Sequence, residues 1–317
     1  MSAALYGPDG FYTSEGRAGR RGDFITSPEV GPLFGAVVAG FLDAEWRRLG
    51  EPDPFTVVDA GAGPGGLVRA IQLASPGCSE AMRLIAVDVS ASQRERHPDG
   101  VESLEWLPDG PFDGVIIANE LLDNLPFRLV VFDDGWREAF VGEGIDGRFV
   151  EELGERLDPC PSFLPPSATL GSRAPIQDSA AAWVDAARLR LRSGSVIVID
   201  YVSPTTAGLA IRPWREWLRT YRQHERGDHY LAVPGSQDIT AEVALDQLPE
   251  PDTVRTQAQW LQLHGIGDLV EEGKRYWAEH AGRPDIPALR MRSRVSEAEA
   301  LLDPSGLGAF TVCEWRA

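Results

Sequence analysis

Short apolar runs alternate with amphipathic segments over the first two-thirds of this 317-residue chain. Phe55–Asp59 (FTVVD), Arg83–Asp88 (RLIAVD), Phe112–Ala118 (FDGVIIA) and Ser195–Asp200 (SVIVID) have the length and apolar content of buried strands, with a weaker candidate at Val101–Trp106. Apolar side chains at Leu33, Phe34, Val37, Val38, Phe41, Leu42, Trp46 and Leu49 follow the 3–4 spacing of an amphipathic helix. Ser27-Pro28-Glu29 starts that helix with a hydroxyl cap, a proline at the first position and an acid near the positive end of the dipole; Gly50 closes it. Further helices are expected at Gly65–Ala74 and Ala180–Leu191. Strands separated by helices predict βαβ units and a parallel sheet.

Two stretches break the alternation. RLVVF, WREAFVG and RFVEEL are joined by Asp133-Asp134-Gly135 and Asp146-Gly147, which are hairpin turn signals, so a small antiparallel β insertion is expected at about 127–155. Pro159–Pro175 reads as a Pro/Ser-rich loop. From about 205 to 293 helices mix with loops, as in a helical cap, and Phe310–Trp315 looks like a closing strand. No internal repeat and no long linker is visible, so 1–317 is expected to be a single domain.

Charge narrows the function. Acids outnumber basic residues 48 to 30, a net charge of −18, which argues against a broad grip on nucleic-acid backbone. The three cysteines (Cys78, Cys160, Cys313) form no CxxC pair, so neither a disulfide framework nor a zinc site is expected, and a reducing compartment is the default. Met1–Arg21 has no apolar core of a secretory signal. The longest apolar run, Val30–Leu42, is 13 residues with Gly and Pro inside, too short to span a bilayer. The expectation is a cytoplasmic protein with no membrane or nucleic-acid partner and no metal.

The most informative segment is Val57-Val-Asp59-Ala-Gly61-Ala-Gly63-Pro-Gly65-Gly66, a strand ending in an acid that runs through a glycine-rich turn into a helix. Glycine is needed where φ is positive or a ligand comes too close for a Cβ. The segment fits the dinucleotide fingerprint as Gly61-x-Gly63-x-x-Gly66, and the first motif of S-adenosylmethionine (SAM) methyltransferases as Asp59-x-Gly61-x-Gly63-x-Gly65. Asp59 favours the second: a carboxylate there repels a pyrophosphate but can organise a loop facing the cationic amino-acid end of SAM. A tight turn with no ligand is the bland alternative. Asp88, ending the next strand, stands where either fold places an acceptor for ribose hydroxyls.

Asn119-Glu120-Leu-Leu-Asp123-Asn124-Leu-Pro126 follows another strand directly, so Asn119 and Glu120 are expected beside the transferred methyl. Glu120 and Asp123, three apart, can share a face and hold a guanidinium by paired hydrogen bonds. Asp200-Tyr201 ends a further strand as a second candidate substrate contact, or as a loop cap and a packed aromatic. Other catalytic templates are absent: no GxxxxGK[ST], no GxSxG, and five histidines (His97, His224, His229, His264, His280) at no metal-ligand spacing, read as ordinary surface or capping residues.

Taken in order, these segments resemble the MidA-like SAM-dependent methyltransferases. The resemblance runs through Gly10-Phe-Tyr-Thr13, Gly22-Asp23-Phe24-Ile-Thr26-Ser27-Pro28-Glu29, Asp59–Gly65, Asn119–Pro126, Ile199-Asp200-Tyr201, Pro234–Thr240 and Thr256–Ile266. It implies a Rossmann-like, seven-stranded class I methyltransferase sheet that binds SAM and methylates a protein arginine. By that resemblance Gly22, Asp23, Phe24 and Thr26 close over the cofactor, Gly61 and Gly63 hold its amino-acid end, Asp88 its ribose, and Glu120 faces the substrate. Asp88 stands where the family more often has glutamate, and Val202 where a glycine usually follows Asp-Tyr. A metabolite acceptor and a non-catalytic SAM-binding assembly factor stay open beside the arginine reading, as does a homo-oligomer.

Overall fold

The computed structural model describes residues 1–13, 26–222, 225–227 and 229–317; Gly22, Asp23 and Phe24 lie outside the described residues. The chain divides into two compact units: Phe24–Asn119 with Ala187–Ile199 and Pro251–Ala317, and Met1–Asp23 with Glu120–Ala186 and Asp200–Glu250. The chain passes between them at the Asn119–Glu120 and Ile199–Asp200 peptide bonds, among others.

The first unit is built on a seven-stranded sheet ordered Thr253–Thr256, Thr311–Arg316, Leu191–Asp200, Phe112–Asn119, Phe55–Ala60, Met82–Val87 and Glu102–Leu104. Numbered along the chain, that order is 6-7-5-4-1-2-3. Strands 1–2, 2–3, 1–4 and 4–5 pair in parallel, and 6–7 antiparallel. The expected class I sheet is therefore present. Chain order reverses between strands 1 and 4, the switch point at which open α/β sheets bind ligands beyond the strand ends. Both strands are apolar because both of their faces are covered: Phe55, Val57, Val58, Val115, Ile116 and Ala118 have no exposed surface.

The amphipathic segment after Ser27 is not one helix. It breaks at Gly31 into Ser27–Val30 and Pro32–Arg48. Glu297, buried and far along the chain, accepts the Leu33 amide at 2.8 Å, and a Cβ on Gly31 would sit 2.3 Å from its carboxyl carbon. The break makes room for an acid at a helix N-terminus, where the dipole favours it. The buried stripe Leu33, Phe34, Val37, Val38, Phe41 and Leu42 is the one that the spacing predicts.

The second unit holds a four-stranded antiparallel sheet, Phe149–Arg156, Trp136–Glu143, Arg128–Phe132 and Arg173–Ile176. The first three strands are the expected insertion. The fourth arises from the stretch read as a Pro/Ser-rich loop: Arg173–Ile176 pairs with Arg128–Val131, and its edge position tolerates Pro175. A three-stranded sheet, Glu225–Arg226, Leu218–Arg222 and Asp238–Ala241, packs with the N-terminal helix Ser2–Tyr6 in a core of Leu5, Leu129, Leu209, Trp217, Leu218 and Ile239. The 205–293 stretch thus carries strands as well as helices. From Pro251 it belongs to the first unit, where Gln257–Leu263, Ile266–His280 and Ile286–Leu302 are helical. Among the described residues no helix is long and apolar enough to cross a membrane.

Two glycine substitutions separate packing from propensity. A Cβ on Gly114 in strand 4 would lie 1.8 Å from the Thr56 carbonyl oxygen of strand 1, so Gly114→Ala should cost about 3 kcal/mol or more and lower the thermal midpoint by several degrees. Among the described residues nothing beyond its own helical turn lies within 4 Å of a Cβ on Gly267, inside the helix Ile266–His280, so Gly267→Ala should stabilise by about 0.5–1 kcal/mol. Thermal melts of both variants check the pair.

Candidate active site

In the first unit, strand 1 ends at Ala60 and the helix Gly66–Ala74 begins six residues on. Gly61, Gly63 and Gly65 between them have φ of 72°, 53° and 80°, the left-handed region that side chains disfavour. The amides of Gly61 and Ala62 both donate to the Val87 carbonyl at 2.9 Å, tying the turn to strand 2. Among the described residues, its chain neighbours aside, no atom lies within 4 Å of where a Cβ of Gly63 would stand. Gly63 is therefore required by its backbone conformation and not by packing among those residues.

Asp59, at the end of strand 1, is buried, and its Oδ2 has no hydrogen-bond partner among the described residues. Burial and the nearby Asp88 push its carboxyl up to about 7, with the Val68 amide of the following helix pulling the other way. Asp88 receives the Gly63 amide on Oδ2 and the Ser90 amide on Oδ1, both at 2.8 Å. Burial raises its pKa, and those two amides with His97 and Arg94 oppose the shift. His97 reaches the same loop: its Nε2 is 2.9 Å from the Gly63 carbonyl and its Nδ1 2.8 Å from Ser103 Oγ. The histidine read as ordinary is thus bonded to the glycine turn, 34 residues away in sequence.

In the second unit, Glu120 follows strand 4 with φ of 54° and is partly exposed. A left-handed glutamate is a strained position of the kind that surroundings must enforce. The next turn, Leu122–Asn124, is held by Asp200, whose Oδ2 accepts the Leu122 and Asp123 amides at 2.9 and 3.3 Å and whose Oδ1 accepts the Tyr201 amide at 2.8 Å. Asp200 is wholly buried, so it anchors the turn, the loop-capping alternative of the two readings given for it. Asp123 is buried too; Thr240 donates its hydroxyl to Oδ2, while Oδ1 has no hydrogen-bond partner. Burial, with Asp238 adding to it, pushes Asp123 up to about 7, and burial with Asp123 and Glu120 raises Asp200 well above the carboxylate range.

Sequence reasoning missed Asp238, Thr240 and Tyr12 as members of this group. Asp238 accepts from the Tyr12 hydroxyl at 2.8 Å, Asn124 Nδ2 at 3.1 Å and the Ile239 amide at 2.9 Å. The Tyr6 hydroxyl donates to the Asn124 carbonyl at 3.0 Å, and the Tyr6 and Tyr12 rings stack at 5.5 Å. Only their presence in quoted motif blocks could have flagged them; no local spacing does. Asn119 ends strand 4, and Thr26 caps the helix Ser27–Val30 in a capping box with Glu29. Among the described residues no group of three or more His, Cys, Asp or Glu side chains is placed to hold a metal ion.

The buried Asp59 makes a signed prediction. Its folded pKa lies above the unfolded one, so the folded state binds the proton more tightly between about pH 4 and 7. Its stabilising contribution is present below about pH 4 and is lost as pH rises through 7, by at most about 4 kcal/mol. Asp59→Asn should therefore melt above the wild type at pH 8, with the gap closing towards pH 4, in paired thermal melts of the free protein.

Comparison with known proteins bears on the fold and the family. A crystal structure from Burkholderia thailandensis bound to S-adenosyl-homocysteine superposes with a TM-score of 0.81 at 27% identity, covering 100% of this chain and 86% of that one. A native structure from the same organism gives 0.81 at 25% identity over 100% and 86%. The Homo sapiens protein arginine methyltransferase NDUFAF7, mitochondrial, is 28% identical over 291 residues, 78% of this chain and 63% of that protein. The Drosophila melanogaster NDUFAF7 homolog, also named as a mitochondrial protein arginine methyltransferase, is 26% identical over 285 residues, 77% and 63%. The match thus spans less than two-thirds of the length of these curated relatives. Their mitochondrial names overturn the cytoplasmic expectation, which rested on charge, cysteine number and the residues before Arg21, none of which reports an address. The family profile of S-adenosyl-L-methionine-dependent methyltransferases matches residues 37–265, from the helix before strand 1 to Gly265, and the chain belongs to that family.

Proposed function

We propose that this chain transfers a methyl group from SAM to a guanidinium nitrogen of an arginine in a protein. The observation that carries the reading is Glu120, a partly exposed glutamate in left-handed backbone, one peptide bond after the end of strand 4, above a turn held by the buried Asp200. Relatives named as protein arginine methyltransferases support it.

The residues of the first unit suit the cofactor. A buried carboxylate oxygen that lacks a donor, Asp59 Oδ2, is a group that a cation satisfies, and the amino-acid end of SAM carries an ammonium. In this reading Asp59 and the turn Gly61–Gly65 hold that end. Asp88, whose oxygens each accept one amide, keeps acceptor capacity for ribose hydroxyls. Thr26, with Gly22, Asp23 and Phe24, is proposed to close over the cofactor, and Asn119 to lie beside the reacting end. The chemistry that SAM supplies when bound is an electrophilic methyl on a sulfonium sulfur.

Glu120 supplies what the acceptor lacks. A guanidinium stays protonated at neutral pH, and its lone pairs are delocalised. A carboxylate that binds two of its N–H groups, one of them on the accepting nitrogen, localises the charge, orients that nitrogen and receives its proton as the C–N bond forms and the C–S bond breaks. Asp123 and Asp200 assist by position: Asp200 fixes the turn, and the free oxygen of Asp123 adds negative potential once ionised. The partner is accordingly a protein with an accessible arginine.

Glu120→Gln keeps the shape and removes the charge. It should lower turnover on a methyl-accepting protein by about a hundredfold or more while leaving the Kd for S-adenosyl-homocysteine within a few-fold, read by calorimetry. Equal loss of binding and turnover would contradict the role.

A further inference from the structure

We infer that His97 is a positioning residue for the cofactor, acting through Gly63; the inference rests on SAM binding at the glycine turn. Gly63 is held on both sides. Its amide donates to Asp88 Oδ2 at 2.8 Å, and its carbonyl lies 2.9 Å from His97 Nε2. These groups belong to successive peptide planes, so the two bonds restrain φ and ψ of a residue with φ of 53° that, among the described residues, has no packing on its Cβ side. The Gly65 amide's bond to the Ala62 carbonyl at 2.9 Å closes the turn around it, and a glycine adds no conformational preference of its own.

The ring's orientation follows from its partners. A carbonyl only accepts, so Nε2 carries a hydrogen and donates to Gly63. Nδ1 of the neutral ring then accepts from the Ser103 hydroxyl at 2.8 Å, on strand 3. Burial lowers the pKa of His97, which favours this neutral form. The ring and the next residue also cover the turn: a Cβ on Gly65 would lie 2.9 Å from Pro98 and 3.4 Å from His97.

The whole 88–100 segment is tied down around this contact. Arg94 Nη1 donates to the Asp88 and Val89 carbonyls at 2.7 and 2.9 Å. From the helix Gly66–Ala74, Arg69 donates to the Arg96 carbonyl at 3.1 Å and Gln72 to the Asp99 carbonyl at 3.0 Å. His97 is the member of this set whose side chain reaches the carbonyl of the turn's central glycine. Its consequence is a turn preorganised for the ligand, so that binding does not have to order it.

The test compares His97→Leu, His97→Gln and Ser103→Ala with the wild type by calorimetry with S-adenosyl-homocysteine, each with a thermal melt. His97→Leu should weaken binding about tenfold, equivalent to about 1.4 kcal/mol. His97→Gln, whose amide can donate to Gly63, should restore most of the affinity, and Ser103→Ala should lose two- to fivefold. Loss of stability alone would not produce rescue by glutamine. Binding by His97→Leu within twofold of the wild type, or glutamine as weak as leucine at equal melting temperature, overturns the inference. Should His97→Leu not fold, unchanged binding by Ser103→Ala overturns it instead. A wild type that binds no S-adenosyl-homocysteine would instead refute the cofactor site itself.

Discussion

Buried carboxyl groups with no arginine or lysine beside them are the constraint on which the rest of this structure turns. Asp59 in one unit, and Asp123, Asp200 and Asp238 in the other, each have a pKa raised from the ordinary carboxyl value chiefly by burial. Among the described residues none of the four is in an ion pair with a basic side chain. Burying an acid this way is unfavourable unless hydrogen bonds or a cation compensate. For Asp200 and Asp238 the compensation is internal, three donors each. Asp59 and Asp123 each retain an oxygen without one. These two are where a cationic ligand gains most, and the reaction proposed above has two cationic ligands.

The same contrast divides Asp200 from Glu120. Asp200 organises a turn from complete burial, whereas Glu120 stands partly exposed in a backbone conformation that its own side chain disfavours. Gly63 is the counterpart in the other unit, a residue with no conformational preference of its own, held from both sides by Asp88 and His97. In each unit a buried or bonded acid fixes the backbone of a residue proposed to act on a ligand.

The candidate residues at strand ends were legible because strands of a parallel sheet end where ligands bind, and an apolar run that stops at an acid marks that end. Asp59, Asp88, Asn119 and Asp200 all lie at or just past the end of a strand of the central sheet. The illegible parts depend on distant partners. The helix break at Gly31 answers to Glu297, 264 residues from the Leu33 amide that it receives. Asp238 joins the site through Tyr12, 226 residues away. His97 carries no spacing signal at all, since its partners are a backbone carbonyl and a serine. Arg173–Ile176 was hidden by Pro175, which a central strand would reject and an edge strand accepts.

The most direct test of arginine methylation is transfer of label from methyl-labelled SAM into proteins of a cell lysate, followed by acid hydrolysis and separation of the amino acids. Label in methylarginine that depends on the added protein is the predicted result. Label that enters only small molecules, or another amino acid, would contradict the account.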